Sequence, residues 1–309
     1  MLPPALMRLL FAPPLLPLLV AASFVPGFWS AGNLRTLLNA ASIDGFVVVG
    51  MTVVMIAGGF DLAVGALMAL AGVVAIWLLP YGLPVAMAGG VGAGMAGGLL
   101  SGALVTKLKI NPFIATLAVM MIVRGGVLGL TDTRPLVSMD EGFLRLGASQ
   151  PMPSIPLVAL ILVLVLTHLA LANRPWGRHI YAIGASERSA TMAGLKVTRL
   201  KLSAYVLSGG LAGLAGLMLA AQLGTGSPII GEQAPLTAAV AALLGGASLR
   251  GGEGSVPGAL AGLLFVAVLV NVMSLLGISS YTQRIVIGGL LLLLVVSERL
   301  VLRQRRRLS

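Results

Sequence analysis

The sequence predicts an all-α protein built of membrane-spanning helices, and three observations predict it. Hydrophobic residues fill 58% of the 309 positions and charged residues only 9%, against roughly 25% charged in soluble domains. The apolar residues come in blocks approaching the ~20 residues that a helix needs to cross a ~30 Å hydrocarbon core. The blocks also lack the two-residue alternation of a transmembrane barrel: Ile285 to Val296 is nearly all Ile, Leu, Val and Gly.

Apolar blocks read against Pro, Gly and charge give about ten spans, near 6–28, 42–58, 62–79, 83–106, 113–131, 154–172, 202–224, 236–249, 255–277 and 283–302. The first follows Arg8 and ends in Ala21-Ala22-Ser23, imitating a cleaved signal. Pro13, Pro14 and Pro17 within it, and the multispan body behind it, favour a retained helix. Span 42–58 is barely long enough and stops at Gly58-Gly59; span 62–79 starts just beyond Asp61. Spans 83–106 and 202–224 carry the glycine blocks Ala88 to Gly102 and Ser208 to Gly216, which suit close helix packing in lipid. Arg124 in 113–131 and His168 in 154–172 need partners or an interfacial position, and His168 lies near a span end. Span 236–249 is short and rich in small residues, so eight spans with two re-entrant segments is the alternative.

The net charge of +11 resides in loops and at the C-terminus. That is a topology signal rather than a nucleic-acid surface. Loop 173–201 holds Arg174, Arg178, Arg188, Lys196, Arg199 and Lys201, and the C-terminus holds Arg299, Arg303, Arg305, Arg306 and Arg307. Both belong on the cytoplasmic side, as do Lys107 and Lys109. Counting spans between them puts both termini in the cytoplasm. The chain reads as one transmembrane domain, 1–309, with 173–201 a cytoplasmic loop within it.

Cysteine is absent and histidine occurs twice, which excludes disulfides, thiolate metal sites and cysteine nucleophiles. No phosphate-binding GxxxxGK[ST] loop, HExxH or catalytic carboxylate pair occurs. Leu207-Ser208-Gly209-Gly210, followed by Leu211, reads as helix packing. Asp61, between Gly58-Gly59 and Gly65, has two readings: a helix break beside a translocation path, or a cap for the helix beginning at Leu62. The stretches 58–65 and 245–252 share the pattern GGxxLxxG, a faint internal echo. In loop 173–201, Ser186 to Ala193 has a cap and helix formers ended by Gly194. The expected short helix turns Glu187 and Arg188 outward and leaves Ala190, Met192 and Ala193 for a shallow groove that docks a soluble partner. A plain surface helix is the other reading.

Four stretches in order carry a resemblance that runs from about Asn33 to Leu300. They are Gly50-Met51-Thr52 with Gly58 to Gly65; Gly102 through Lys107 and Lys109 to Asn111-Pro112-Phe113-Ile114-Ala115-Thr116-Leu117, with Arg124-Gly125; Trp176-Gly177-Arg178 through Tyr181 to Gly184 and on to Ala193-Gly194; and Leu244 to Leu249 with Gly251 to Gly254. In these the chain resembles the permease subunits of ribose-type ABC sugar importers.

The resemblance implies a bacterial inner-membrane permease that moves a monosaccharide or related small polar solute inward. It works as a pair with a second copy, identical or not, above a cytoplasmic ABC ATPase and below a periplasmic sugar-binding protein. This chain is then a transport subunit rather than an enzyme. It binds no cofactor and no nucleic acid; ATP and Mg belong to the ATPase, and the lipid bilayer is its solvent. The resemblance places ATPase coupling at Glu187, Arg188, Ala190, Ala193 and Gly194. The translocation pathway is expected, on an alternating-access mechanism, at Gly58, Gly59, Asp61, Asn111, Phe113, Thr116 and Asn271. Two departures stand out. Related permeases carry an aromatic-Glu-Leu-Asp sequence where this chain has Ala234-Pro235-Leu236-Thr237, and the usual Asn before Gly102 is Ser101. The missing acids suggest pairing with a non-identical permease that retains them.

Two other classes compete: an ion-coupled secondary transporter using Asp61, and a membrane enzyme using Asp132, Asp140 and Glu141 in one outward loop. Trp29, Trp77 and Trp176 are scattered, so the sequence names no sugar, and a nucleoside or other small polar solute stays open.

Overall fold

The computed structural model describes residues 15–308, with side chains through 298. The helices are α1 (Leu15–Ala22), α2 (Ala31–Ile56), α3 (Val64–Leu78), α4 (Leu83–Thr106), α5 (Pro112–Leu130), α6 (Glu141–Gly147), α7 (Ile155–Asn173), α8 (Pro175–Ala185), α9 (Glu187–Met192), α10 (Val197–Leu223), α11 (Ala234–Leu244), α12 (Val256–Leu275) and α13 (Ser280–Leu308). Two short strands, β1 (Leu136–Val137) and β2 (Thr225–Gly226), form an antiparallel pair.

Among the described residues, eight helices are long and apolar enough to cross a membrane: α2, α3 with its 3₁₀ extension to Tyr81, α4, α5, α7, α10, α12 and α13. The expected count of about ten differs at two places. Span 236–249 is the 11-residue α11, about 16 Å long at 1.5 Å per residue and half of what a crossing needs. Span 6–28 contributes α1, of eight residues; residues 1–14 lie outside the described residues, as do the side chains of the C-terminal arginines.

The second span also differs. Helix α2 is 26 residues long and starts at Ala31 rather than 42. Asn33, Arg35 and Asn39 make its first half read as loop, yet Ser30 caps it by accepting from the Asn33 amide at 3.3 Å. Its amides find partners inside: Asn33 pairs with Asn271, and Asn39 Nδ2 donates to the Gly147 carbonyl at 3.1 Å. Several spans start as their sequences dictate, a Ser or Asn cap before an early Pro. Asn111 accepts from the Phe113 amide at 2.9 Å, Ser154 from Leu157 at 3.4 Å and Ser255 from Gly258 at 3.1 Å.

Helix α10 is the axle, packed most extensively on α4 and then on α3 and α2. The glycine blocks make this possible. A Cβ on Gly94 would overlap the Gly209 carbonyl, one on Gly209 the Gly94 carbonyl, and one on Gly98 the Tyr205 carbonyl. Packing in lipid depends on such backbone approach.

The segment before α11, the short β2 followed by turns over 228–233, passes along α3 in the opposite direction. A Cβ on Gly226 would meet Gly72 and Val73 at 3.0–3.1 Å, and one on Gly231 the Gly65 carbonyl at 2.6 Å. Helix α11 then continues to the start of α12, where Gly245 lies against Gly258 and Ala241 against Gly262. The stretch from β2 to Leu244 thus packs against α3 through a turn-built half and against α12 through a helical half.

Candidate functional site

The chain turns back between α2 and α3 inside the bundle. Gly58 adopts φ +74, a conformation costly for any side chain. A Cβ on Gly59 would lie 2.5 Å from the Tyr205 hydroxyl. Asp61 is fully buried. Its Oδ1 accepts from the Ala63 amide at 3.0 Å and its Oδ2 from the Ser208 hydroxyl at 3.0 Å. The carboxylate, three residues ahead of α3, therefore sets the turn into that helix and ties it to α10. In position it is a turn-forming acid ahead of the helix, whose first residue is Val64 rather than Leu62.

Thr116 seals the other side of this break. Its hydroxyl donates to the Pro112 carbonyl at 2.8 Å and accepts from the Leu62 amide at 3.1 Å. Phe113, half exposed, sets its ring 6.2 Å from that of Phe60, and Asn111 caps α5 alongside. Six of the seven pathway candidates thus meet at one junction. The seventh, Asn271, does not. It lies 15 residues into α12, about 23 Å from that helix's start.

The basic end of the molecule holds α8 and α9. Ser186 caps α9, accepting from the Ser189 amide at 3.2 Å, and Gly194 ends it at φ +77. Glu187 and Arg188 are exposed, as are Met192, Ala193 and Gly194. Ala190 departs from expectation: it is buried and faces inward, because it stands at the position of this six-residue helix that packs on the apolar cluster of Ile180, Ile183 and Val105. Glu187 pairs with Lys201 at 2.6 Å, holding α9 to the start of α10.

Helix α8 goes beyond the short helix expected in this loop; its buried positions Gly177, Ile180 and Ile183 recur every third residue around Arg178 and His179. Trp176 donates to Ser203 at 2.9 Å and Tyr181 to the Gly254 carbonyl at 2.8 Å. Burial raises the Tyr181 pKa, which keeps that hydroxyl a donor.

The two glycine echoes meet at the end of α8. A Cβ on Gly184 would overlap the Ile56 carbonyl and approach the Gly252 amide at 2.5 Å; one on Gly251 would lie 2.6 Å from the Gly58 Cα. The Gly252 amide donates to the Ile56 carbonyl at 2.8 Å. The loop helices therefore touch the α2–α3 turn through close backbone contact, beside the apolar cluster of Ile56, Ala57, Ile180 and Ile183.

A cavity of about 390 Å³ lies between α2, α11 and α12. Asn33 and Asn271 stand in its wall in a reciprocal amide pair, at 3.0 and 2.8 Å. Asp44 and Thr237 also line it. The Ala234–Thr237 departure thus falls on this wall. Asp44 carries little signal in the sequence, being one charge in a long apolar run.

The remaining polar candidates are dispersed. Arg124 Nη1 donates to the carbonyls of Pro228 and Ile230, the latter at 3.0 Å. His168 is exposed near the end of α7. Asp140 caps α6, Glu141 pairs with Arg145 at 3.6 Å and Asp132 sits in a turn at φ 47. The acids proposed for an enzyme are thus spread over local structure.

A multi-pass helical bundle with a buried chain reversal, a loop-helix pair beneath it and a solute-sized cavity defines a membrane transport subunit. The chain belongs to the family described as branched-chain amino acid transport system / permease component, which matches residues 33–295. It is 38% identical over 279 residues to the ribose import permease protein RbsC of Bacillus subtilis (strain 168), covering 89% of this chain and 87% of that protein. It is 34% identical over 287 residues to the ribose import permease protein RbsC of Escherichia coli (strain K12), with 90% and 89% covered. Identity to the L-arabinose transport system permease protein AraH of the same strain is 36% over 285 residues, with 91% and 87% covered. No solved structure matches. The chain is a multi-pass inner-membrane permease subunit and not an enzyme.

Proposed function

We propose that this permease imports a monosaccharide. It pairs with a second permease, beneath a periplasmic sugar-binding protein and above an ABC ATPase that binds ATP and Mg and docks on α8–α9. Relatives named for ribose and arabinose support the substrate class. The observation that carries the mechanism is the glycine contact of Gly184 with Ile56 and Gly252, which joins the loop helices to the turn holding Asp61. Through it, movement of α8–α9 by the ATPase shifts α2 and α3 relative to α10, and a solute path alternates its opening. Such coupling requires the two arrangements to differ in contact free energy at α9.

The basic end is cytoplasmic on this reading, since Lys107, Lys109 and loop 173–201 cluster there. Spans α2 to α13, counting the stretch from β2 through α11 as one crossing, then leave the C-terminus inside, and one further crossing ahead of α2 puts the N-terminus there too. The test is co-expression with the candidate ATPase and binding protein, measuring complex formation and binding-protein-stimulated ATP hydrolysis in lipid. Wild type assembles and is stimulated; Glu187→Ala and Gly194→Pro assemble weakly or lose stimulation. An ATPase that never associates with folded chain overturns the reading. Intact mass of the purified complex separates one permease species from two.

A further inference from the structure

We propose that Asp44 is the specificity-determining acid of the cavity between α2, α11 and α12, favouring neutral polyhydroxylated solutes and rejecting anionic ones. Asp44 is the 14th residue of the 26-residue α2, midway along it. Its neighbours Ala41 to Ile43 and Gly45 to Ile56 are buried, yet Asp44 is exposed, and it opens onto the cavity. Among the described residues no hydrogen bond or ion pair meets its carboxylate. Asp61, by contrast, has both oxygens bonded.

An acid at this depth without an internal partner is tolerated where it meets water or a ligand, not lipid tails. A carboxylate only accepts hydrogen bonds, so the solute that satisfies it must donate. Among the polar groups of the wall, Asp44 alone is charged; Asn33 and Asn271 bond reciprocally, and Asn33 also donates to the Phe28 carbonyl. Its volume of about 390 Å³ lies within the ~300–1,000 Å³ of small-molecule sites. Leu263, Val266 and Val270 make much of the remaining wall apolar, so the charge is poorly screened.

The identity of the solute rests on the import-permease reading, but the cavity is testable without transport. The chain has no cysteine, so Ala40→Cys, one turn from Asp44 on the same wall, supplies a unique thiol. Its reaction is followed in membrane vesicles with a cationic and an anionic methanethiosulfonate reagent of similar size, with Asp44 intact and with Asp44→Asn. Comparing two reagents on one protein removes any effect of yield or partial misfolding. With Asp44 present the cationic reagent reacts faster by roughly tenfold or more, as expected for a charge one turn away in a poorly screened site. Asp44→Asn abolishes the preference. Equal rates regardless of residue 44, or a thiol that neither reagent reaches until the protein is denatured, overturn the proposal; the latter is the result if a second permease copy covers the wall. In the assembled importer, Asp44→Asn lowers uptake of the neutral sugar relative to its uronic acid and Asp44→Glu restores the ratio. Failure of the import reading would remove uptake in all variants but leave the thiol result intact.

Discussion

At the residue scale the molecule distinguishes glycines that space from glycines that turn. A Cβ at 184 has no room, because the Ile56 carbonyl occupies its place, whereas one at 194 meets nothing within 4 Å. Gly184→Ala is therefore expected to cost about 1–3 kcal/mol, as overpacking does, and to lower thermal stability in detergent. Gly194→Ala should cost about 1–2 kcal/mol from its left-handed backbone alone and leave packing intact. Asp61 offers a sharper contrast. Asn in its place still accepts from Ala63, and Ser208 can accept from its amide, so Asp61→Asn should keep the fold. Asp61→Leu strands a buried amide and a buried hydroxyl at about 1–3 kcal/mol each. If Asp61→Asn retains uptake while Asp61→Leu loses it along with stability, the residue works through its hydrogen bonds; loss of uptake by a stable Asp61→Asn would instead assign the role to its charge.

At the scale of elements, α9 is held by few contacts: its Ser186 cap, the inward Ala190 and the Glu187–Lys201 pair. Ser186→Ala should weaken it by about 1 kcal/mol, read as faster amide exchange over 187–192 with α10 unchanged. Helix α9 was legible in the sequence, from its cap to its terminal glycine, because both signals are local. Helix α8 and the first half of α2 were not. Their polar residues resemble loop until the partners appear, and those partners stand far off in the chain: Asn271 for Asn33, Gly147 for Asn39, Gly254 for Tyr181. The candidate site was legible in the same uneven way. Gly58, Gly59, Asp61, Asn111, Phe113 and Thr116 form two local runs and converge, while the cavity, built from three separated helices, left no trace beyond Asn271.

At the scale of the whole molecule, the class and most spans follow from hydropathy, since composition alone fixes the solvent. Topology is the part most open to direct measurement. In a chain without cysteine, a single thiol at Arg188 should react with an impermeant reagent only after the membrane is permeabilised, and one at Glu141 in intact spheroplasts. The reverse pattern would invert the basic end and displace the ATPase from α8–α9.

The segment from β2 to α11 bears on how the protein is made. Its leading half, Thr225 to Gln233, is polar and glycine-containing, so it presents no segment that would partition into lipid unaided as it leaves the ribosome. Arg124 of α5 already stands in the bundle, offering its guanidinium to the carbonyls of Pro228 and Ile230. An ordered biogenesis is the expected outcome: the early helices enter by their own hydropathy, and the late segment is drawn in against them. Arg124→Leu should insert α5 at least as well yet leave 225–244 stranded at the surface, where protease added from outside would cut it. If that segment stays protected without the arginine, insertion does not depend on this contact.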